Sequence, residues 1–585
     1  MSPNGQPPAH AGVDEAKLLY AMENDFYGCT EKLENYKLGG LHPIILGDRL
    51  GDNGRFRVVH KLGHGGYGTV WLCQDTLFPT PKWRAVKVMS ATASEPDCDE
   101  LRAMEAFRDI ERSTVENDFH ISIALEHFWI DGPNGRHLAL VFALSAITVN
   151  SMSSHYAQHR TLVKDLCFQL AKSLEFIHSR GLCHGDFRPD NILVRLCPGV
   201  DSLPEETLRK SFLNGYKPRT VRIVSEKDKK PITRASAPSV PEHLVDSTSI
   251  GFHSGLCAAS LAVTDFGVSY SALNPPEEGC TGITLPYASP EERFRQRALL
   301  GPASDIWALG CCITKLALGF TPFVNEYEGD DVDLHAAKME ELMGLMTEPF
   351  RTAYKEEHKR RPKSRCFAAD VAMSEDESNH DKREQKFITE IPSPYPKEVL
   401  EKIKKEEDAE RDERAKRGER VMSPGQETFR RNLQRTIYLS VTQEEADGMN
   451  KQYELWRSQE KHPDSNKLGS IVQLPFVEAR RDGKKVVDED DEEEEDGHIE
   501  FRLDDKEADQ LFELLMSIFK WHPKDRATLQ QVLNHPWFER RNQHAAKVPP
   551  PITTGNKCVV GETPGWVKSL LNHRSAARLL PGGFS

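Results

Sequence analysis

The stretch that most constrains this chain is Cys183-His184-Gly185-Asp186-Phe187-Arg188-Pro189-Asp190-Asn191-Ile192-Leu193. It reads as a loop that feeds a short apolar strand. Asp186 offers a carboxylate suited to orienting a hydroxyl nucleophile, and Asn191 an amide oxygen suited to a divalent cation. Short Asp/Asn/Pro loops are also ordinary turn material. The stretch therefore takes its meaning from what stands before and after it.

Upstream, Leu62-Gly63-His64-Gly65-Gly66-Tyr67-Gly68-Thr69-Val70 is a G-x-G-x-x-G-x-V run. Such glycines let backbone N–H groups close over phosphate oxygens with no Cβ in the way. The plain alternative is a Gly-rich hairpin. A dinucleotide-binding turn would need a helix next, whereas Val70-Trp71-Leu72 continues as strand. Trp83 to Met89 is an apolar strand interrupted by Lys87. A lysine there is costly unless paired, or unless it snorkels to water from a sheet edge. Glu100 and Glu105 on the next helix are candidate partners, and Glu100 is preferred.

Residues 118–144 read as two strands around a turn at Asp131 to Gly135, ending near Ala143 and Leu144. Leu162 to His178 is an amphipathic helix with Leu166, Leu170, Leu174 and Ile177 on its core face. After a polar span, Leu261 to Thr264 returns to strand and leads into Asp265-Phe266-Gly267. Thr284 to Glu291, the apolar helix opening at Asp305, and Trp521 to Thr528 follow, and Arg526 is the expected buried partner of Glu291.

In this order, these segments resemble a eukaryotic protein kinase over about residues 40–350 and 509–540. Gly39 to Pro43, Ile45 to Asp48, Gly132 to Gly135 and the long span between Asn191 and Asp265 resemble the serine/arginine-rich-protein kinases (SRPK), in a divergent, fungal-type form. The resemblance implies an α+β, bilobal protein-kinase fold, with a β-rich N-lobe, a mainly helical C-lobe and two long insertions. Its expected parts are a polar extension at 1–37, an N-lobe at 38–143 and a C-lobe at 144–351 containing an insertion at about 197–256. A charged, largely disordered insertion at 352–508, the lobe's end at 509–540 and a tail at 541–585 complete it.

The resemblance also implies a chemistry, phosphoryl transfer from MgATP to Ser or Thr of a protein. Leu62, Gly63, His64, Gly65, Gly66, Tyr67, Gly68, Thr69 and Val70 would enclose ATP, with Ala85 and Leu193 against adenine. Lys87, held by Glu100, would grip phosphates, and Asn191 and Asp265 would hold magnesium. Asp186 would accept the hydroxyl proton, Arg188 would face the γ-phosphate, and Thr284 would contact Asp186. Two departures stand out. Gly185 replaces an arginine that usually reads an activating phosphate, and Arg188 replaces the usual lysine. These departures and the insertions also fit a pseudokinase scaffold, and an active kinase of another group is a further reading.

The expected partner is an Arg/Ser-rich splicing or RNA-binding protein, with no direct nucleic-acid contact and no membrane. Glu326, Glu328, Asp330, Asp331 and Asp333 could receive such a basic segment. A charge of −14, a mean hydropathy of −0.56 and the absence of an 18-residue apolar run fit a soluble chain. The Met1 to Gly12 stretch lacks a secretory core, and the 12 cysteines include no C-x-x-C pair, so a cytoplasmic or nuclear location is expected. Asp488 to Asp496 is an unbroken acidic run read as a solvated tract, and His358 to Lys363 a basic patch of the nuclear-import kind.

Overall fold

The computed structural model describes residues 18–21, 30–80, 82–150, 160–197, 199–212, 218–225, 229–248, 257–324, 332–360, 422–433, 437–441, 497–501, 503 and 505–538. Strand β1 (Leu18–Ala21) finds its partner late in the chain. Strands β2 (Arg49–Leu50), β3 (Phe56–Gly65), β4 (Gly68–Asp75), β5 (Trp83–Met89), β6 (Glu126–Gly132) and β7 (Gly135–Ala143) form one antiparallel sheet, in the order β2-β3-β4-β5-β7-β6. Successive side chains on a strand leave opposite faces. On β5, Val86 and Val88 enter an outer cluster with Val58, Trp71, Cys73 and Val141. Lys87 leaves the other face, toward helix α1 (Asp99–Ala106). A second short helix, α2 (Arg112–Asn117), follows.

Strand β8 (Ser145–Thr148) leads out of the sheet, and α3 (Arg160–Ser179) buries Leu166, Leu170, Leu174 and Ile177. Strands β9 (Leu182–Cys183) and β10 (Ile192–Leu196) flank the Asp186 loop. Beyond β10 comes the polar span expected as an insertion at about 197–256, and its described part is folded. It forms α4 (Glu205–Phe212), β11 (Thr220–Ser225) and β12 (His243–Val245) before the chain returns through β13 (Cys257–Val263) to pair with β10. β1 adds to the far side of β11.

This insertion packs on the N-lobe. Val200 and Leu208 join Val59, Leu72, Trp83 and Leu144, while Val245 joins the outer cluster of the sheet. Trp83 Nε1 donates to the Leu203 carbonyl at 2.7 Å, and Lys82 Nζ lies 2.8 Å from Asp201 Oδ2. Asn134 Nδ2 donates to the carbonyls of Leu41 (2.7 Å) and Ser239 (2.8 Å). The apolar residues of these elements bury against distant parts of the chain, so no long local period announces them.

A further cluster, on the sheet of β11 and β12, corrects the lead-in. Tyr36 and Leu41 pack with Ile223, Ile232 and Leu244, so the stretch before residue 37 is not wholly a polar extension. Within it Glu31 is buried beside Lys61 of β3, with 2.5 Å between Nζ and Oε2 and side-chain exposures of 1% for Lys61 and 0% for Glu31. Tyr36 donates its hydroxyl to the same carboxylate.

The C-lobe core is built on α3 and a later helix. After β14 (Tyr270–Ser271) and the short α5 (Pro290–Arg293), helix α6 (Pro302–Leu318) buries Trp307, Leu309, Cys311, Cys312 and Leu316. Burial pushes both thiols of Cys311 and Cys312 well up. Helix α7 (Val332–Met343) precedes the second insertion, and α8 (Phe350–Arg360) runs into its start. Part of that insertion belongs to the core: α9 (Pro424–Leu433) buries Phe429 and Leu433 against the lobe. β15 (Ile437–Val441) pairs antiparallel with β16 (Gly497–Phe501). Helices α10 (Asp505–Ile518) and α11 (Leu529–Leu533) close the lobe. Glu326, Glu328, Asp330, Asp331, most of the basic patch after Arg360, the acidic run and the 541–585 tail lie outside the described residues.

Candidate active site

The glycine-rich run is the β3–β4 hairpin. Gly63 pairs with Val70, His64 with Thr69, and Gly65 with Gly68, leaving Gly66 and an exposed Tyr67 at the tip. A Cβ added at Gly63, Gly65 or Gly66 would meet nothing within 4 Å, so no protein neighbour demands glycine there. Their lack of side chains leaves space for a ligand's phosphates to approach the backbone. Gly68 differs, because a Cβ there would stand 2.5 Å from the Val88 carbonyl oxygen. Leu62, Val70, Ala85 and Leu193 are each half-buried, as residues at an open cleft are.

Lys87 Nζ lies 2.6 Å from Glu100 Oε1 and 2.7 Å from Asp265 Oδ1. Glu105, the other candidate partner, is exposed and sits by Arg108. Burial pulls the Lys87 ammonium down, but the two carboxylates outweigh it and hold it above its ordinary range. Burial pushes the Asp265 carboxyl up, yet Lys87 draws it down to about 2. Asp265 takes a left-handed backbone (φ 65°), and Phe266 behind it packs between Phe107 and His184.

In the loop, Asn191 Nδ2 donates to Asp186 Oδ2 at 2.7 Å and to the Asp186 carbonyl at 2.9 Å. The amide oxygen of Asn191 is thereby turned away from Asp186. Arg188 Nε donates to Asp186 Oδ2 at 3.2 Å, and its Nη1 donates to Asp190 Oδ2 at 2.7 Å. Asp186 Oδ1 is buried and accepts no hydrogen bond. Oδ2 is thus held by hydrogen bonds, while Oδ1 makes none and has Arg188 Nε 3.1 Å away.

Asp305, at the start of α6, fixes the loop from beneath. Its carboxylate accepts the backbone N–H groups of His184 (2.8 Å) and Gly185 (3.0 Å) and lies 2.9 Å from His178 Nε2. Burial raises the Asp305 carboxyl, but the His178 contact wins and holds it below its usual value. Glu291 and Arg526 meet as expected, in a two-point pair at 2.6 Å and 2.6 Å that is fully buried and shared with Ser304.

Thr284 is a correction. It is exposed, it precedes the turn Leu285–Tyr287, and no bond joins its hydroxyl to Asp186. The threonine that reaches the loop is Thr281, whose hydroxyl donates to the Gly185 carbonyl at 2.5 Å. Gly185 itself has φ +80°, and a Cβ there would lie 2.6 Å from the Val268 carbonyl oxygen. Any side chain at this position is therefore disfavoured by the backbone angle and by the Val268 oxygen. Sequence reasoning missed Thr281 and its acceptor Glu292; the one available signal was the pair of glycines, Gly279 and Gly282, that bracket Thr281 at positive φ.

A two-lobed scaffold with a glycine hairpin, a carboxylate-held lysine and an Asp/Asn loop defines the phosphoryl-transfer class. A family model described as "Protein kinase domain" matches residues 56–198 and 255–412, more than half of the chain. The chain belongs to the protein kinase family. It is 31% identical over 206 residues to the protein kinase dsk1 of Schizosaccharomyces pombe, covering 34% of this chain and 36% of that protein. It is 32% identical over 174 residues to the serine/threonine-protein kinase SKY1 of Saccharomyces cerevisiae, covering 28% and 23%. With the human SRSF protein kinase 3 it shares 31% over 175 residues, covering 29% and 30%. The matched stretches span about a third or less of these relatives' lengths. No helix among the described residues is long and apolar enough to cross a membrane.

Proposed function

We propose that this protein transfers the γ-phosphoryl group of ATP, with magnesium, to serine or threonine hydroxyls of Arg/Ser-rich or other basic proteins. The observation that carries the reading is Asp186, with Oδ2 held by Asn191 and Oδ1 making no hydrogen bond, 3.1 Å from Arg188 Nε. A substrate hydroxyl placed against Oδ1 would pass its proton there as its oxygen forms the new bond to phosphorus. The bond from that phosphorus to the departing ADP oxygen breaks. MgATP supplies the phosphoryl group and the charge that neutralises it in transfer. Lys87 would bind the phosphate chain, and Gly63, Gly65 and Gly66 would cover it. Asn191 and the half-exposed Asp265 carboxylate would supply oxygen ligands to magnesium.

The basic-substrate part rests on the net charge of −14 and on the likeness to SRPK-type kinases. Asp333 is the only member of the acidic cluster among the described residues, and it accepts from the Tyr354 hydroxyl at 3.2 Å. A cytoplasmic or nuclear site of action accompanies this reading.

Transfer of labelled phosphate from MgATP to an Arg/Ser-repeat peptide tests it, with Asp186→Asn as the control. Transfer that falls by about 10²–10⁴ in the control supports the proposal. Transfer to a generic basic protein but not to the repeat removes the substrate class alone. Arg188, folded onto Asp186 and Asp190, also fits a scaffold without chemistry. Absence of transfer to every acceptor, with no thermal stabilisation by MgATP, would establish that second reading.

A further inference from the structure

The first insertion carries a cavity that shares no lining residue with the site above. Along β11, Val221 and Ile223 are buried, while Thr220 and Arg222 are exposed on the opposite face. His243 on β12 is the direct cross-strand neighbour of Arg222, so the two share that face. With Leu46, Pro218 and Arg209 of α4 they line a cavity of about 690 Å³.

The chemistry of the lining is one-sided. None of the six residues is acidic, and three carry nitrogen donors. Arg209 gives Nε and Nη2 to Glu205 on its own helix, which leaves Nη1. Arg222 has no hydrogen-bond or acidic partner among the described residues. Two carboxylates, Asp48 and Glu242, act on His243 from outside the lining; Asp48 Oδ2 accepts from Arg234 and Ile45 N, and Glu242 Oε1 from the Arg234 N–H. His243 Nε2 is buried with no partner.

We propose that this cavity binds a phosphate ester dianion, held by Arg222, with Arg209, His243 and the Thr220 hydroxyl lining the same space. A guanidinium fork matches phosphate oxygens. The volume is that of a small-ligand site, roughly 300–1,000 Å³. The ester's organic body would rest on Leu46 and Pro218. The walls come from the insertion and from the segment before β2, so the ligand would tie these two parts together. The site stands whether or not the kinase reading does.

Isothermal titration of the full chain tests it, with the nucleotide site first filled by magnesium and a non-hydrolysable ATP analogue. The probes are phenyl phosphate and a phosphoserine pentapeptide. Saturable binding of either probe, weakened about tenfold or more by Arg222→Ser and by His243→Ala, is expected. Tighter binding of the peptide identifies a phosphorylated chain as the source, and tighter binding of phenyl phosphate a free metabolite. Arg222 is exposed, so its substitution leaves the fold intact, and a thermal melt verifies this. Failure of both probes to bind, or equal binding by wild type and Arg222→Ser, overturns the proposal.

Discussion

Thr281 and Gly185 are joined by a 2.5 Å hydrogen bond from the threonine hydroxyl to the glycine carbonyl. The same threonine approaches Glu292, its N–H donating to Oε2 at 2.9 Å and its hydroxyl lying 3.1 Å from Oε1. One hydroxyl hydrogen cannot serve two acceptors at once. A protonated Glu292 resolves the conflict, because Oε1–H then donates to Thr281, which donates to Gly185. The segment after Phe266 is clipped to the catalytic loop by this chain, with no phosphate involved. Thr281→Val should lower kcat for peptide phosphorylation by about tenfold with the KM for ATP nearly unchanged, and Thr281→Ser should restore it. Steady-state kinetics over both substrates separates this from a simple loss of folded protein.

Glu292 gives the clip a pH signature. Burial is the main reason its carboxyl is pushed up to about 7, against the opposing hydrogen bond from the Thr281 N–H. A carboxyl raised on folding keeps its proton in the native state while the unfolded chain releases it. Stability should therefore fall as pH rises from about 4.5 to about 7, by a few kcal/mol for this group. Glu292→Gln should flatten that slope in urea titrations at a series of pH values. An identical slope in wild type and variant would remove the assignment.

Gly185 cannot regain a side chain cheaply. Its φ of +80° and the 2.6 Å approach to the Val268 oxygen both act against any Cβ. Gly185→Ala should cost about 1–3 kcal/mol, and Gly185→Arg at least as much, read as a lower thermal midpoint. Neither should make activity dependent on a phosphate at the segment.

The Glu31–Lys61 pair should behave as buried ion pairs do. Lys61→Met alone leaves a carboxylate stranded and should cost about 3–5 kcal/mol, whereas Lys61→Met with Glu31→Leu should recover most of that loss. Denaturant midpoints of the three proteins measure the difference.

What was readable in the sequence follows from how each feature is encoded. The glycine hairpin and the spacing of Asp186 to Asn191 are local, so chain order alone exposes them. Lys87 was legible because a cation between valines needs a partner, and Glu100 rather than Glu105 faces it because α1 turns the two to different sides. Glu291 and Arg526 lie far apart in sequence, and only the family pattern joined them. Thr281 was hidden because its role depends on where Gly185 turns its carbonyl. The fold of the insertion was hidden because Val245 and Leu208 have their partners in the opposite lobe.

The insertion leaves the C-lobe at β10, crosses the N-lobe and returns at β13 beside its point of departure. The lobes are consequently bound by a closed circuit of chain and not by a single flexible joint. Widening the cleft must shear the Trp83–Leu203 and Lys82–Asp201 contacts or carry the whole circuit along. Any relative movement of the lobes must therefore work against the adhesion of that patch.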